Sequence, residues 1–138
     1  MPPTLKFVHF AAAGYIVMVF QTDKDARQAL RALLASPHQD AEVLLFHSNE
    51  VIAELMLRAD HESISDIVAY ADESETHAQL LGYARQGCSF LNALASSVAQ
   101  QNEMRRCVQR FHPKRIQWYH VHNIDDVMHT YHAKLKLE

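Results

Sequence analysis

Ten histidines in 138 residues are the side chains with the widest chemical reach, and four of them fall in two close pairs near the C-terminus. His120 and His122 are two apart, so on a strand they share one face with Trp118. His129 and His132 are three apart, the spacing that aligns side chains on one face of a terminal helix. If the tail folds back, the two pairs could offer four imidazole nitrogens to a divalent cation. His120, His122, His129 and His132 are therefore the candidate metal ligands, and a divalent metal is the cofactor they would take. The plainer explanation is a set of solvated or structural histidines. It is favoured by the absence of an H-E-x-x-H motif and of any cysteine pair beside these residues. No haem attachment motif accompanies them.

Other chemistry has less to stand on. Glu73 and His77 are four apart, near Asp72 and Glu75, where a carboxylate could raise the imidazole pKa or share a metal; a solvated helix face accounts for the same pattern. Ser89, Ser96 and Ser97 lie in no G-x-S-x-G elbow, and Ser97 is explained as a helix cap. The glycines Gly14, Gly82 and Gly87 are isolated, so neither a Walker loop nor a dinucleotide fingerprint can form. No catalytic residue is assigned, and a non-enzymatic role is expected.

Charge is divided along the chain. Asp40, Glu42, Glu50, Glu54, Asp60, Glu62, Asp66, Asp72, Glu73 and Glu75 face only Arg58 between positions 40 and 75, a local balance of −9. Arg85, Arg105, Arg106, Arg110, Lys114 and Arg115 face only Glu103 between positions 85 and 115, a balance of +5. Such polarity could steer self-association, with an acidic segment meeting a basic helix of another subunit; two solvated faces are the alternative. The basic cluster before Trp118 and Tyr119 raises the question of RNA. The Arg/Lys-Gly-aromatic strand signature is missing and the net charge is −3, so nucleic acid is not an expected partner.

Two stretches would position these side chains, and they follow one plan. Tyr15–Phe20, Thr22–Leu34 and Val43–Phe46 read as strand, capped helix, strand; Phe90–Ala95, Ser97–Phe111 and Ile116–Tyr119 repeat the order. Thr22 can cap the first helix, with Asp23 and Asp25 favoured by its dipole, and Ala26, Ala29, Leu30, Leu33 and Leu34 give it one apolar stripe. Ser97-Val-Ala-Gln100 matches a capping box, and Met104, Cys107, Val108 and Phe111 share a face of the second helix. Two β-α-β units imply an α+β, ferredoxin-like sandwich with a mainly antiparallel four-stranded sheet, in one domain spanning 1–138.

Between the units, about 49–87, lies a helical insert. Asn49 can cap a short helix carrying Val51, Ile52, Leu55 and Met56. A second helix from near Ser63 would carry Ile64, Ile67, Val68, Ala71, Ala78 and Leu81, and Gly87 would close it in a left-handed conformation. Val43–Phe46 is apolar on both sides, so the sheet needs cover on a second face, from the insert or from an identical subunit. The histidine-bearing C-terminal segment, about 120–138, follows the last strand.

The strand and helix Tyr15-Ile-Val-Met-Val-Phe-Gln-Thr-Asp-Lys-Asp-Ala-Arg-Gln-Ala-Leu and the closing Ile116-Gln-Trp-Tyr-His-Val-His-Asn-Ile-Asp-Asp-Val resemble uncharacterised bacterial ferredoxin-like domains related to the heat-induced general stress proteins. The resemblance implies a small α+β domain with a stress-related role and supplies no catalytic residues. The expected function is a regulatory or interaction module that self-associates or takes a protein partner; the alternative is a ligand- or metal-binding protein or enzyme of the dimeric ferredoxin-like type, using the C-terminal histidines. Cys88 and Cys107 lack C-x-x-C spacing and fit a reducing compartment. The run Phe7–Phe20 has the length of a secretory core, but His9 interrupts it and no small-residue cleavage site follows; it is also too short to span a membrane. A cytoplasmic location and no membrane contact are expected.

Overall fold

A computed structural model of the chain describes residues 10–36, 42–61, 71–120 and 124–128, with only the backbone of 58–61, 71–76 and 125. The elements in order are β1 (Tyr15–Phe20), α1 (Asp23–Ala35), β2 (Val43–Phe46), α2 (Ser48–His61), α3 (Ala71–Arg85), β3 (Ser89–Leu94), α4 (Val98–Val108) with a 3-10 turn (Gln109–Phe111), β4 (Pro113–Tyr119) and β5 (Ile124–Asp126). The strands form one mixed-order sheet, β2-β3-β1-β4-β5, in which every adjacent pair is antiparallel. The fold is α+β, with the two strand–helix–strand units interleaved so that β3 lies between β1 and β2, and β1 between β3 and β4.

β1 is buried on both faces, as its continuous apolar run requires. Ile16, Met18 and Phe20 join a core with Ala26, Ala29 and Leu33 of α1 and Met104 and Val108 of α4. Val17 and Val19 point the other way, into a second core with Phe46, Phe90, Val51 and Leu55 of α2, and Leu80 and Ala84 of α3. β2 divides in the same manner: Val43 and Leu45 face the first core, Leu44 and Phe46 the second. Of the two covers that the sequence allows for the second face, the chain uses its own insert.

Local chemistry sets the element ends. The Thr22 hydroxyl accepts from the Asp25 amide at 3.1 Å and that of Ser97 from the Gln100 amide at 3.1 Å. Gln100 reaches back to the amide and hydroxyl of Ser96, at 2.9 and 2.8 Å, in place of the Ser97 amide that a standard capping box would use. Gly87 closes α3 at φ +89, a left-handed conformation that costs glycine little.

Several expectations are corrected. A fifth strand, Ile124–Asp126, pairs with β4 inside the segment read as a histidine-bearing tail, because Asp126, Asp125 and Ile124 find open ladder positions opposite Gln117, Trp118 and Tyr119. β4 begins at Pro113 rather than Ile116, with proline at the first strand position, where its missing N–H is tolerated. α2 starts at Ser48, and the Glu50 carboxylate accepts from the His47 amide at 2.9 Å, so Asn49 lies inside the first turn and does not precede it. Leu34, Met56 and Ala78 fall outside the buried stripes, and α3 instead buries Leu80 and Ala84. α3 has apolar residues on more than one face, so the sheet beneath it selects which stripe is used. Ile64, Ile67 and Val68 lie outside the described residues.

Candidate functional site

Trp118 is 6% exposed, packed in the first core, and its indole N–H donates to the Ala95 carbonyl at 2.9 Å. The face that carries it is covered by the α1/α4 layer. The His120 ring lies 4.6 Å from the Trp118 ring at a tilted angle. Of the four candidate metal ligands, His120 alone is described; His122, His129 and His132 lie outside the described residues, as does the Glu73 side chain. Among the described residues, no group of three or more His, Cys, Asp or Glu side chains is placed to hold a metal. Tyr119 is buried in the second core, where its hydroxyl donates to Gln117 Oε1 at 3.3 Å and Gln117 Nε2 donates to Gln79 of α3 at 3.3 Å. With both aromatics buried, neither offers a ring on which a base could stack. Cys88 and Cys107 are free thiols. No described helix is long and apolar enough to cross a membrane.

The described side chains that converge are ones the sequence did not bring together. β3 runs antiparallel to β1 and β2, so the C-terminal ends of β1 and β2 and the start of β3 meet at one sheet edge. That edge holds Asp23 in the first turn of α1, His47 just after β2 and Ser89 at the start of β3. The Ser89 hydroxyl donates to Asp23 Oδ1, and His47 Nδ1 lies 3.0 Å from the same oxygen. Arg27 Nη2 stands 3.7 Å from Asp23 Oδ2. The hydroxyl of Ser89 is the chief influence holding the Asp23 carboxyl below its usual range; burial opposes it, and His47 and Arg27 add to the lowering.

The carboxylate stands between hydroxyl and imidazole, so this is not a serine–histidine relay. Ser89 is 2% exposed and its proton is committed to Asp23, which leaves no accessible nucleophile. With Nδ1–H donated to Asp23, His47 would turn Nε2 outward. The trio ties the start of α1 to the end of β2 and the start of β3. No spacing rule links positions 23, 47 and 89; only the strand order reveals their meeting.

The broad accessible feature of the helical layer is its outer surface. α1 and α4 with its 3-10 turn carry Lys24, Arg27, Arg31, Arg105, Arg106 and Arg110 against Asp23, Asp25 and Glu103, a net charge of +3. Arg106 pairs with Glu103 at 3.3 Å, while Lys24, Arg31 and Arg110 form no ion pair among the described residues. Between the two helices lies an open groove of about 520 Å³ lined by Ser36, Glu103, Arg106 and Cys107. Leu34, 60% exposed, stands on α1 two residues before Ser36. By sequence, α2 and α3 of the insert contain Glu50, Glu54, Asp60, Asp72, Glu73 and Glu75 against Arg58 and Arg85, a net charge of −4, of which the side chains of Glu50, Glu54 and Arg85 are described. Burial pushes the Cys107 thiol up, with Arg110 opposing and Glu103 adding to the rise, so the groove holds no activated thiolate.

No protein-family model, curated protein or solved structure matches the chain.

Proposed function

We propose that the chain is a non-enzymatic regulatory or interaction module built on a ferredoxin-like sandwich, and that it self-associates. The observation that carries this reading is the division of charge along the chain: by sequence, α1 and α4 with the 3-10 turn sum to +3, and α2 and α3 sum to −4. Charge divided in this way orients encounters between proteins and penalises wrong pairings more than it stabilises a fold. The strand order β2-β3-β1-β4 with both unit helices on one face supports the ferredoxin-like description. A stress-related role rests on the sequence resemblance alone. At the convergence of Asp23, His47 and Ser89, the Ser89 hydroxyl is buried and bonded to Asp23.

Light scattering on the eluting protein tests the reading. Mass should rise above 15.8 kDa as concentration increases at low salt. A strict monomer at every concentration and salt would count against self-association.

A further inference from the structure

We infer that the outer edge of β2 is the surface through which the chain self-associates, pairing antiparallel with β2 of a second copy across a two-fold axis. The inference rests on the self-association proposed above and names the surface that serves it. In the order β2-β3-β1-β4-β5, β2 has a neighbouring strand on one side only. Residues of an antiparallel strand direct their N–H and C=O groups alternately to its two sides, so half of these groups point away from β3. Val43, Leu44 and Leu45 make no hydrogen bond outside the β3 ladder among the described residues.

The two edges of the sheet differ. β5 is Ile-Asp-Asp, and acidic residues on so short an edge discourage a further strand. β2 is Val-Leu-Leu-Phe, with no charge and no proline, and its register with β3 runs without a bulge. Leu44 and Leu45 each keep part of their surface exposed, one on each face of the sheet. Leu34, 60% exposed, widens this apolar strip. Asp23 meets His47 at the end of β2, and Leu34 follows it by about three helical turns, hence on the same side of α1. That places Leu34 roughly 16 Å back along a helix that packs on β2, beside the start of a strand roughly 13 Å long. The other side of α1, at Ser36, turns to the α4 groove.

An antiparallel edge is complementary to itself under a two-fold axis normal to the sheet, so a second copy is the occupant that β2 fits. Pairing with β5 of another copy would instead set β2 against the acidic edge. The axis keeps each helical layer on its own side and lays α1 beside α1, which buries Leu34 in the contact. Asp23 and Arg27, on the same side of α1, already stand 3.7 Å apart and bring no net charge to it. Such a contact is isologous and closes at two copies.

The test is hydrogen exchange of the full chain at single-amide resolution, in concentrated and dilute samples, beside sedimentation velocity at low salt and at about 500 mM, where the Debye length is roughly 4 Å. Sedimentation should show a dimer of the 15.8 kDa chain that persists at high salt, because backbone bonds and apolar contact hold it. The outward β2 amides should exchange about tenfold more slowly in the concentrated sample, while those bonded to β3 are unchanged. Leu34→Glu alters an exposed side chain, so circular dichroism should show it folded, and it should weaken the dimer about tenfold. A dimer whose β2 amides exchange alike at both concentrations would overturn the inference and leave self-association standing. An assembly that grows past two copies, or one unaffected by Leu34→Glu, would do the same. A monomer under every condition would remove both readings.

Discussion

The two faces of the sheet are covered by helix pairs of different origin. α1 and α4 are each the crossover of a strand–helix–strand unit, and crossovers of one hand between interleaved strands must lie on the same face. They pack closely through small residues, Ala26 and Ala29 against a sheet bearing Ala93, with Ala95 beside it. The other face is filled by aromatic rings: Phe10 lies 4.9 Å from Phe46 and 6.2 Å from Phe90, centroid to centroid. Its cover comes from consecutive helices placed between β2 and β3. The unit helices are an unavoidable result of the topology, while the second cover is an addition that β1 and β2, apolar on both sides, make necessary.

If the insert is integral to the fold, damage beneath it should be as costly as damage beneath α1 and α4. Phe46→Ala should destabilise the protein by about 3–5 kcal/mol, against about 2–5 kcal/mol for Met18→Ala on the first face, and both should unfold in one transition in urea. Two separate transitions in Phe46→Ala would show the insert to be a semi-independent layer and break the comparison. A smaller effect belongs to the sheet edge where β2 and α1 meet. Ser89→Ala should cost about 1 kcal/mol at pH 7. The Asp23 carboxyl is held below its ordinary 3.8 in the folded state, so its contribution is fully present above that value and lost as pH falls through the lower folded pKa. Removing the Ser89 hydroxyl brings the folded value back toward 3.8, so wild type and variant should converge in stability as the pH falls through the lowered folded pKa of Asp23. A difference that stays constant from pH 7 to pH 2.5 would mean that Ser89 acts by packing alone.

The repeated units were legible because each of their signals is local. Thr22 and Ser97 cap where their types predict, and the unbroken apolar runs of β1 and β2 mark strands buried on both faces. The insert was less legible for a physical reason: Met56 and Ala78 belong to helices whose apolar residues spread around the axis, so the sheet, not periodicity, selects Val51, Leu55, Leu80 and Ala84 for burial. The contact of Asp23 with His47 and Ser89 was invisible because it depends on strand order. β5 was missed because Ile124–Asp126 is three residues long and its pairing with β4 is what makes it a strand. Three of the four histidines named as metal ligands lie outside the described residues, and His120 is engaged with Trp118.

The two thiols test the central claim, that one chain covers both faces of its sheet and leaves only the outer layers and the β2 edge to partners. Cys88 is buried in the second core beneath α3, and Cys107 lines the open groove on the opposite side. Burial pushes the Cys88 thiol up, with Lys114 opposing, so exposure governs its reaction with a thiol reagent. The measurement is the labelling rate of each thiol in native buffer over a hundredfold dilution. Cys107, on an outer layer open to partners, should react readily at the lowest concentration, and Cys88 should stay protected to the same degree at every concentration. Protection of Cys88 that disappears on dilution would mean that a second copy, not the insert, covers that face, and would contradict the account.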